Sequence, residues 1–112
     1  MIFITGALYS GKRTYAKKLG GRQIADVQDL AADAQDLTAD AQDLTALADE
    51  LAARYDVVIA TEIGGGIVPI EAEQRAAREA AGRLACLLAA RADIVVEMFC
   101  GIPTALKGEL PC

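Results

Sequence analysis

The sequence predicts an α/β fold, a mostly parallel sheet of about four strands with helices on both faces. Three observations carry that expectation. Short apolar runs rich in β-branched residues recur at 2–5, 56–60 and 94–99, each followed by turn residues, as buried parallel strands are. Two long stretches with helical patterning, 26–54 and roughly 70–90, lie between the runs. The first run also feeds Gly6-Ala7-Leu8-Tyr9-Ser10-Gly11-Lys12, which has the spacing G-x-x-x-x-G-K. A strand, a glycine loop and a lysine opening a helix form a phosphate cradle, so the expected layout is P-loop NTPase-like (RecA-like).

Each element has its own local reason. Ile2-Phe3-Ile4-Thr5 is a short apolar run and reads as the first strand. Residues 11–19 read as the helix after the loop, stopped by Gly20-Gly21. Gln23-Ile24-Ala25 is a short second strand. Asp26 then opens a long acidic helix over 26–54, where its side chain is either a cap or a metal-shell ligand.

That helix contains a repeat: Asp-Ala-Gln-Asp-Leu-Thr-Ala occurs at 33–39 and again at 40–46. Leu30, Leu37, Leu44 and Leu51 recur at heptad spacing, with Val27, Ala34, Ala41 and Ala48 three before each. Three readings stand. The stripe is a coiled-coil seam, or the apolar face of a helix laid on its own sheet with Asp29, Asp33, Asp36, Asp40 and Asp43 solvated, or part of a partly disordered repeat. Asp56-Val57-Val58-Ile59-Ala60 is a strand ending in Thr61-Glu62, followed by the glycine-rich stretch Gly64–Gly66. The next helix alternates charge sign on a solvated face. Ile94 to Phe99 is the last strand, Cys100-Gly101-Ile102-Pro103 closes it, and 104–112 reads as a loose tail.

The bulk numbers bound function. At 112 residues the chain is one domain, 1–112, and it is 54% hydrophobic but 4% aromatic, so alanine-rich helices must pack closely on a small sheet. A net charge of −5 argues against nonspecific nucleic-acid binding, which needs clustered lysine and arginine. No apolar run approaches the roughly 18–20 residues of a membrane span, and no signal peptide is recognisable, so a cytoplasmic location is expected. Three dispersed cysteines give neither a zinc spacing nor a disulfide framework, and Cys86 reads as a small buried helix residue. The chain has no histidine, which removes histidine bases and phospho-histidine intermediates.

Ligands of such sheets bind at the carboxyl ends of the strands, and Lys12, Asp26, Glu62 and Gly64–Gly66 all fall there. Gly6, Ala7, Leu8, Tyr9, Ser10, Gly11, Lys12, Arg13 and Thr14 are therefore the candidate nucleotide-binding residues, with ATP or GTP as ligand. Lys12 and Glu62 are the candidate catalytic pair. Lys12 would reach the β/γ-phosphates, and Glu62 would hold Mg²⁺ or orient the attacking hydroxyl. Arg13 stands where a magnesium-holding serine or threonine belongs. It either lies along the phosphates or points to solvent, and Lys107 is a further phosphate candidate in the tail.

Residues 61–108 add a resemblance. Thr61-Glu62-Ile63-Gly64-Gly65-Gly66-Ile67-Val68-Pro69 is similar to the N-E-V-G-x-G-I-V-P motif of the bifunctional adenosylcobinamide kinase/adenosylcobinamide-phosphate guanylyltransferases, the CobU/CobP family. Arg75, Arg78, Gly82 and Arg83 match its A-R-x-[FY]-R-D-x-x-G-R pattern, and Ala89, Ala92 and Asp93 match its A-x-x-A-D. Cys100-Gly101-Ile102-Pro103 and Leu106-Lys107-Gly108 resemble its closing S-G-I-P-x-x-L-K-G, and Thr5-Gly6 through Gly11-Lys12 its T-G-G-x-x-S-G-K-S loop.

The resemblance implies a kinase of adenosylcobinamide in cobalamin biosynthesis or corrinoid salvage. It implies a nucleoside triphosphate and a corrinoid as substrates and a homo-oligomeric assembly. It places Gly6, Ser10, Gly11 and Lys12 on the triphosphate and Glu62 near Mg²⁺ and the acceptor. The family's guanylylated histidine and its surroundings have no counterpart here, where the aspartate/leucine heptads stand instead. The expectation is thus the kinase half without histidine-linked guanylyl transfer; the alternative is a non-catalytic nucleotide-binding relative or partner subunit.

Overall fold

Strands form where apolar residues alternate between two packed faces, and the order of those strands decides where a site can sit. The computed structural model describes residues 1–7, 9–31, 41–62 and 72–111. Its elements are β1 (Ile2–Gly6), α1 (Lys12–Leu19), β2 (Gln23–Ile24), α2 (Ala41–Arg54), β3 (Val57–Thr61), α3 (Ala72–Arg91), β4 (Ile94–Phe99) and β5 (Ile102–Lys107). Residues 28–31 are also helical, so the acidic helix expected over 26–54 is present at both ends, while its middle, 32–40, lies outside the described residues.

The sheet runs β2-β3-β1-β4-β5. β1 pairs parallel with both β3 and β4, β2 pairs parallel with β3, and β5 pairs antiparallel with β4. The expected α/β class and mostly parallel sheet hold, with five strands in place of about four. Residues 104–107, expected to begin a loose tail, form the greater part of β5.

The reason is a tight turn. Cys100 and Gly101 have φ of 50° and 78°, and a two-residue hairpin loop of the type I′ kind needs positive φ at both positions. Pro103 obscures the strand in the sequence, since proline cannot donate to a ladder; it is tolerated because β5 is an edge strand.

The alternation sorts the core into two layers. Phe3, Val58, Ala60 and Val95 face one side and pack with Leu44, Ala48 and Leu51 of α2 and Ala80, Leu84 and Leu88 of α3. Ile4, Val57, Ile59, Val96 and Met98 face the other and pack with Tyr15 and Ala16 of α1. Each fully buried valine, leucine or phenylalanine contributes roughly 1.5–3 kcal/mol.

Where the heptad stripe is described, it therefore lies on the chain's own sheet and on α3. Alanine at position 48 lets α2 approach closely. Asp49 of α2 also pairs with Arg91 at the end of α3. Cys86, expected to be buried, is exposed on α3; the buried face of that helix runs through Ala80, Leu84 and Leu88 instead.

Candidate functional site

The site grows from the carboxyl end of β1. Gly6 ends that strand with φ +153°, and a Cβ there would stand 2.5 Å from the Met98 carbonyl oxygen and 2.8 Å from Ser10 Oγ. Only glycine lets the chain leave β1 so close to β4. Glu62 N–H donates to Gly6 O at 2.9 Å, tying the end of β3 to the start of the loop. Ser10 N–H donates back to Ala7 O at 3.3 Å, and Tyr9 takes a left-handed φ of 62° with its side chain 94% exposed. Gly11, at φ 92°, is the N-cap of α1, and no side chain caps that helix. Among the described residues no side chain takes its first-turn N–H groups, and helix N-termini favour anions.

Lys12 is the centre of the arrangement. It is 6% exposed, and its ammonium donates to Ala7 O at 2.5 Å and to Ser10 Oγ at 3.3 Å. Burial pushes its pKa below the ordinary lysine value. Asp26 opposes that shift, Arg13 adds to it, and Glu62 opposes it. A buried cation held by one carbonyl and one hydroxyl is under-compensated, and an incoming polyanion would relieve that.

Arg13 is largely in solvent, its side chain 67% exposed at the rim of the loop cavity, and its guanidinium pairs with the Asp26 carboxylate. Asp26, at φ 58°, also accepts from Gln28 Nε2 at 3.4 Å. Its carboxylate thus serves side chains where a cap or a metal ligand was expected, and its carbonyl takes the Asp29 N–H. Thr14 follows in the first turn of α1, exposed and on the wall of the same cavity. That cavity, about 280 Å³, is lined by Tyr9, Ser10, Gly11, Lys12, Arg13 and Thr14 from the loop and α1, with Asp26, Ile59 and Thr61 opposite.

Glu62 stands exposed just past β3. Lys107, the tail candidate, is at the wrong end of the sheet. It pairs with Val95 near the start of β4, and its ammonium donates to Ala89 O and Ala90 O, both at 3.1 Å, at the end of α3. Leu8 and the Gly64–Gly66 stretch lie outside the described residues.

Two supports escape sequence reasoning. Gln28 accepts the Thr61 N–H on its side-chain oxygen at 3.0 Å, continuing the edge of β3 beyond the two-residue β2. Gly101 N–H donates to Ser10 O at 2.9 Å, and its Cα would meet a Cβ on Gly11 at 3.3 Å. The β4–β5 turn thus braces the loop. The signal for the second was a Cys-Gly pair between two apolar runs; Gln28 had none.

The donor set suits a triphosphate better than a metal site built by protein alone. Among the described residues no three histidine, cysteine, aspartate or glutamate side chains cluster to hold an ion. The hydroxyl position is Arg13, and Asp26 is engaged by it. A Mg²⁺ ion in such a place is held mainly by substrate phosphates and one or two carboxylates; Asp26 lines this cavity, while Glu62 stands just past β3, outside its lining.

Comparison with known proteins bears on the part of the site beyond the loop. The family described as cobinamide kinase / cobinamide phosphate guanyltransferase (CobU) matches residues 26–106. No curated protein matches the chain. The matched span includes Asp26, Gln28, Glu62, Arg78, Gly82 and the Cys100-Gly101 turn, and begins after the glycine loop. It covers more than two-thirds of the chain, which therefore belongs to the cobinamide kinase / cobinamide phosphate guanyltransferase family.

Proposed function

We propose that the chain is the kinase half of its family: it transfers the γ-phosphoryl group of ATP or GTP to the hydroxyl of the aminopropanol arm of adenosylcobinamide, in cobalamin biosynthesis or corrinoid salvage. The observation that carries this reading is the buried ammonium of Lys12, held by its own loop at the mouth of an uncapped helix. The triphosphate would displace Ala7 O from Lys12 and take the N–H groups of the first turn.

In the reaction, the arm's oxygen bonds to the γ-phosphorus as the β–γ bridging P–O bond breaks. The nucleoside diphosphate leaves, and the hydroxyl proton passes to Glu62 or to solvent. Lys12 and the loop amides stabilise negative charge on the transferring group, and Glu62 orients the hydroxyl; positioning and electrostatics carry most of the rate. Mg²⁺, when bound with the nucleotide, would neutralise phosphate charge, with Glu62 holding it. With no histidine in the chain, histidine-linked guanylyl transfer has no residue to run through. The expected cytoplasmic setting is compatible with the finding that, among the described residues, no helix is long and apolar enough to cross a membrane. The expected homo-oligomer is compatible with the exposed Phe99, Ile102 and Leu106 on β4 and β5.

The ion pair between Arg13 and Asp26 favours a second reading, a nucleotide-binding relative that does not turn over. One assay separates the two: ADP or GDP release with Mg²⁺, with and without cobinamide. Cobinamide-dependent release, abolished in Lys12→Ala and increased in Arg13→Ser, is the expected result. Tight nucleotide binding with no release in the parent chain and in Arg13→Ser leaves only the second reading.

A further inference from the structure

A second cavity opens on the other side of β3. It is about 370 Å³ and lies between the ends of β1 and β3 and the middle of α3, lined by Thr5, Gln28, Ala60, Thr61, Glu62, Arg78, Ala81, Gly82 and Ala85. Thr61 lines both this cavity and the loop cavity. The two therefore meet across a single strand end, with Glu62 beside the junction.

Gly82 is the informative residue. It sits in the interior of the 20-residue α3, where glycine is the least favourable residue after proline. Among the described residues a Cβ at Gly82 would meet nothing within 4 Å, and the residue is exposed on the cavity wall. The helix backbone is therefore open at that point to whatever enters the cavity. Arg78, one turn earlier on the same helix, is half-buried on the same cavity wall.

We infer that this cavity receives the hydroxyl-bearing arm of the acceptor, an inference that rests on the kinase reading above. The lining brings one carboxylate, Glu62, and one guanidinium, Arg78, together with Gln28, two threonines and three alanines. That balance suits an uncharged chain of amide and hydroxyl groups better than a second phosphate, which Glu62 would repel. The cavity is at the small end of ligand pockets, so it takes the arm and leaves a macrocycle outside. Arg78 holds an amide oxygen of the arm, Gly82 gives the arm room against α3, and the hydroxyl points past Thr61 toward the loop cavity.

The test uses the intact chain and two variants, Gly82→Leu and Arg78→Gln. Three quantities are measured: melting temperature, the Kd of a non-hydrolysable triphosphate, and the Kd of cobinamide in its presence. Leucine is a good helix former, so Gly82→Leu is expected to melt at or above the parent temperature. Its nucleotide Kd stays within about twofold while cobinamide binds at least about tenfold more weakly. Arg78→Gln is expected to weaken cobinamide by about fivefold or more with nucleotide binding unchanged. Unchanged cobinamide Kd in both variants overturns the pocket and leaves the kinase reading standing. A parent chain that binds nucleotide but not cobinamide overturns the kinase reading, and the pocket with it.

Discussion

At the loop end of the sheet, Gly6 leaves no room for a Cβ, Gly11 takes a positive φ with Gly101 Cα 3.3 Å from where its Cβ would stand, and Lys12 is buried with its charge. The opposite end has confined glycines too, since a Cβ at Gly108 would stand 2.8 Å from the Asp93 carbonyl oxygen and one at Gly21 2.9 Å from the Asp56 carboxylate, but the ties there are mostly ordinary hydrogen bonds. Arg22 O accepts from both Asp56 N–H and Val57 N–H, at 2.8 and 3.0 Å, and Asp93 N–H donates to Met1 O at 3.0 Å. The Asp56 carboxylate takes the Arg22 N–H at 2.9 Å, and Lys107 closes the end of α3. Both ends hold glycines by sterics, and what sets the first apart is the buried charge of Lys12. The second is held by many exposed contacts, each small. Glycine supplies the test, with one position pressed against backbone at the loop end and one in open space at the other.

Gly6→Ala carries the largest expected effect. Its new Cβ would press on the Met98 carbonyl, a backbone atom that cannot yield without moving β4. A loss of about 3 kcal/mol is expected. Gly20, just past α1, has φ +68° and ψ −164°, a region essentially reserved to glycine, but among the described residues nothing lies within 4 Å of its would-be Cβ, so Gly20→Ala should cost about 2 kcal/mol. Urea unfolding of the two variants reads the difference directly. Equal losses would mean that backbone conformation, and not the approach to β4, sets the cost.

The same contrast explains what the sequence made legible. The loop end is written in rare residues at fixed spacing: Gly6, Gly11 and Lys12 announce themselves, and the β-branched runs around Val57–Val58 and Val95–Val96 fix the parallel strands. Contacts made by common residues across long sequence distances leave no such trace. Gln28 reaching the Thr61 N–H, Arg13 turning to Asp26 and Gly101 bracing Ser10 are decided by tertiary placement. β5 was hidden because Pro103 argued against a strand and only the Cys100-Gly101 turn argued for one. Cys86 was misjudged because composition says what a cysteine prefers, while the face of α3 that meets the sheet is set by Leu84 and Leu88.

A smaller effect is expected from acid at the tied end. The backbone N–H of Arg22, and then its charge, hold the Asp56 carboxyl below its ordinary value of 3.8. A carboxylate with a lowered folded pKa contributes stability that is present above the unfolded value and lost as pH falls through the folded one. Melting temperature should therefore fall more steeply for the parent than for Asp56→Asn between about pH 5 and pH 2. Parallel curves would show that the Arg22–Asp56 contact adds nothing to the opposite end.

The smallest expected effect is also the most discriminating about which end a residue serves. Lys107 donates to the last carbonyls of α3, where a cation meets the negative end of the helix dipole. Lys107→Met should cost about 0.5 kcal/mol of stability and leave the nucleotide Kd unchanged, because the lysine stands across the sheet from Lys12. The sequence offers Lys107 as a tail lysine that either reaches a phosphate or, like most tail lysines, does not. Its geometry makes it a helix stop at the end of an edge strand. A weakened nucleotide Kd in Lys107→Met, with stability unchanged, would return it to the phosphate site and remove the division between the two ends.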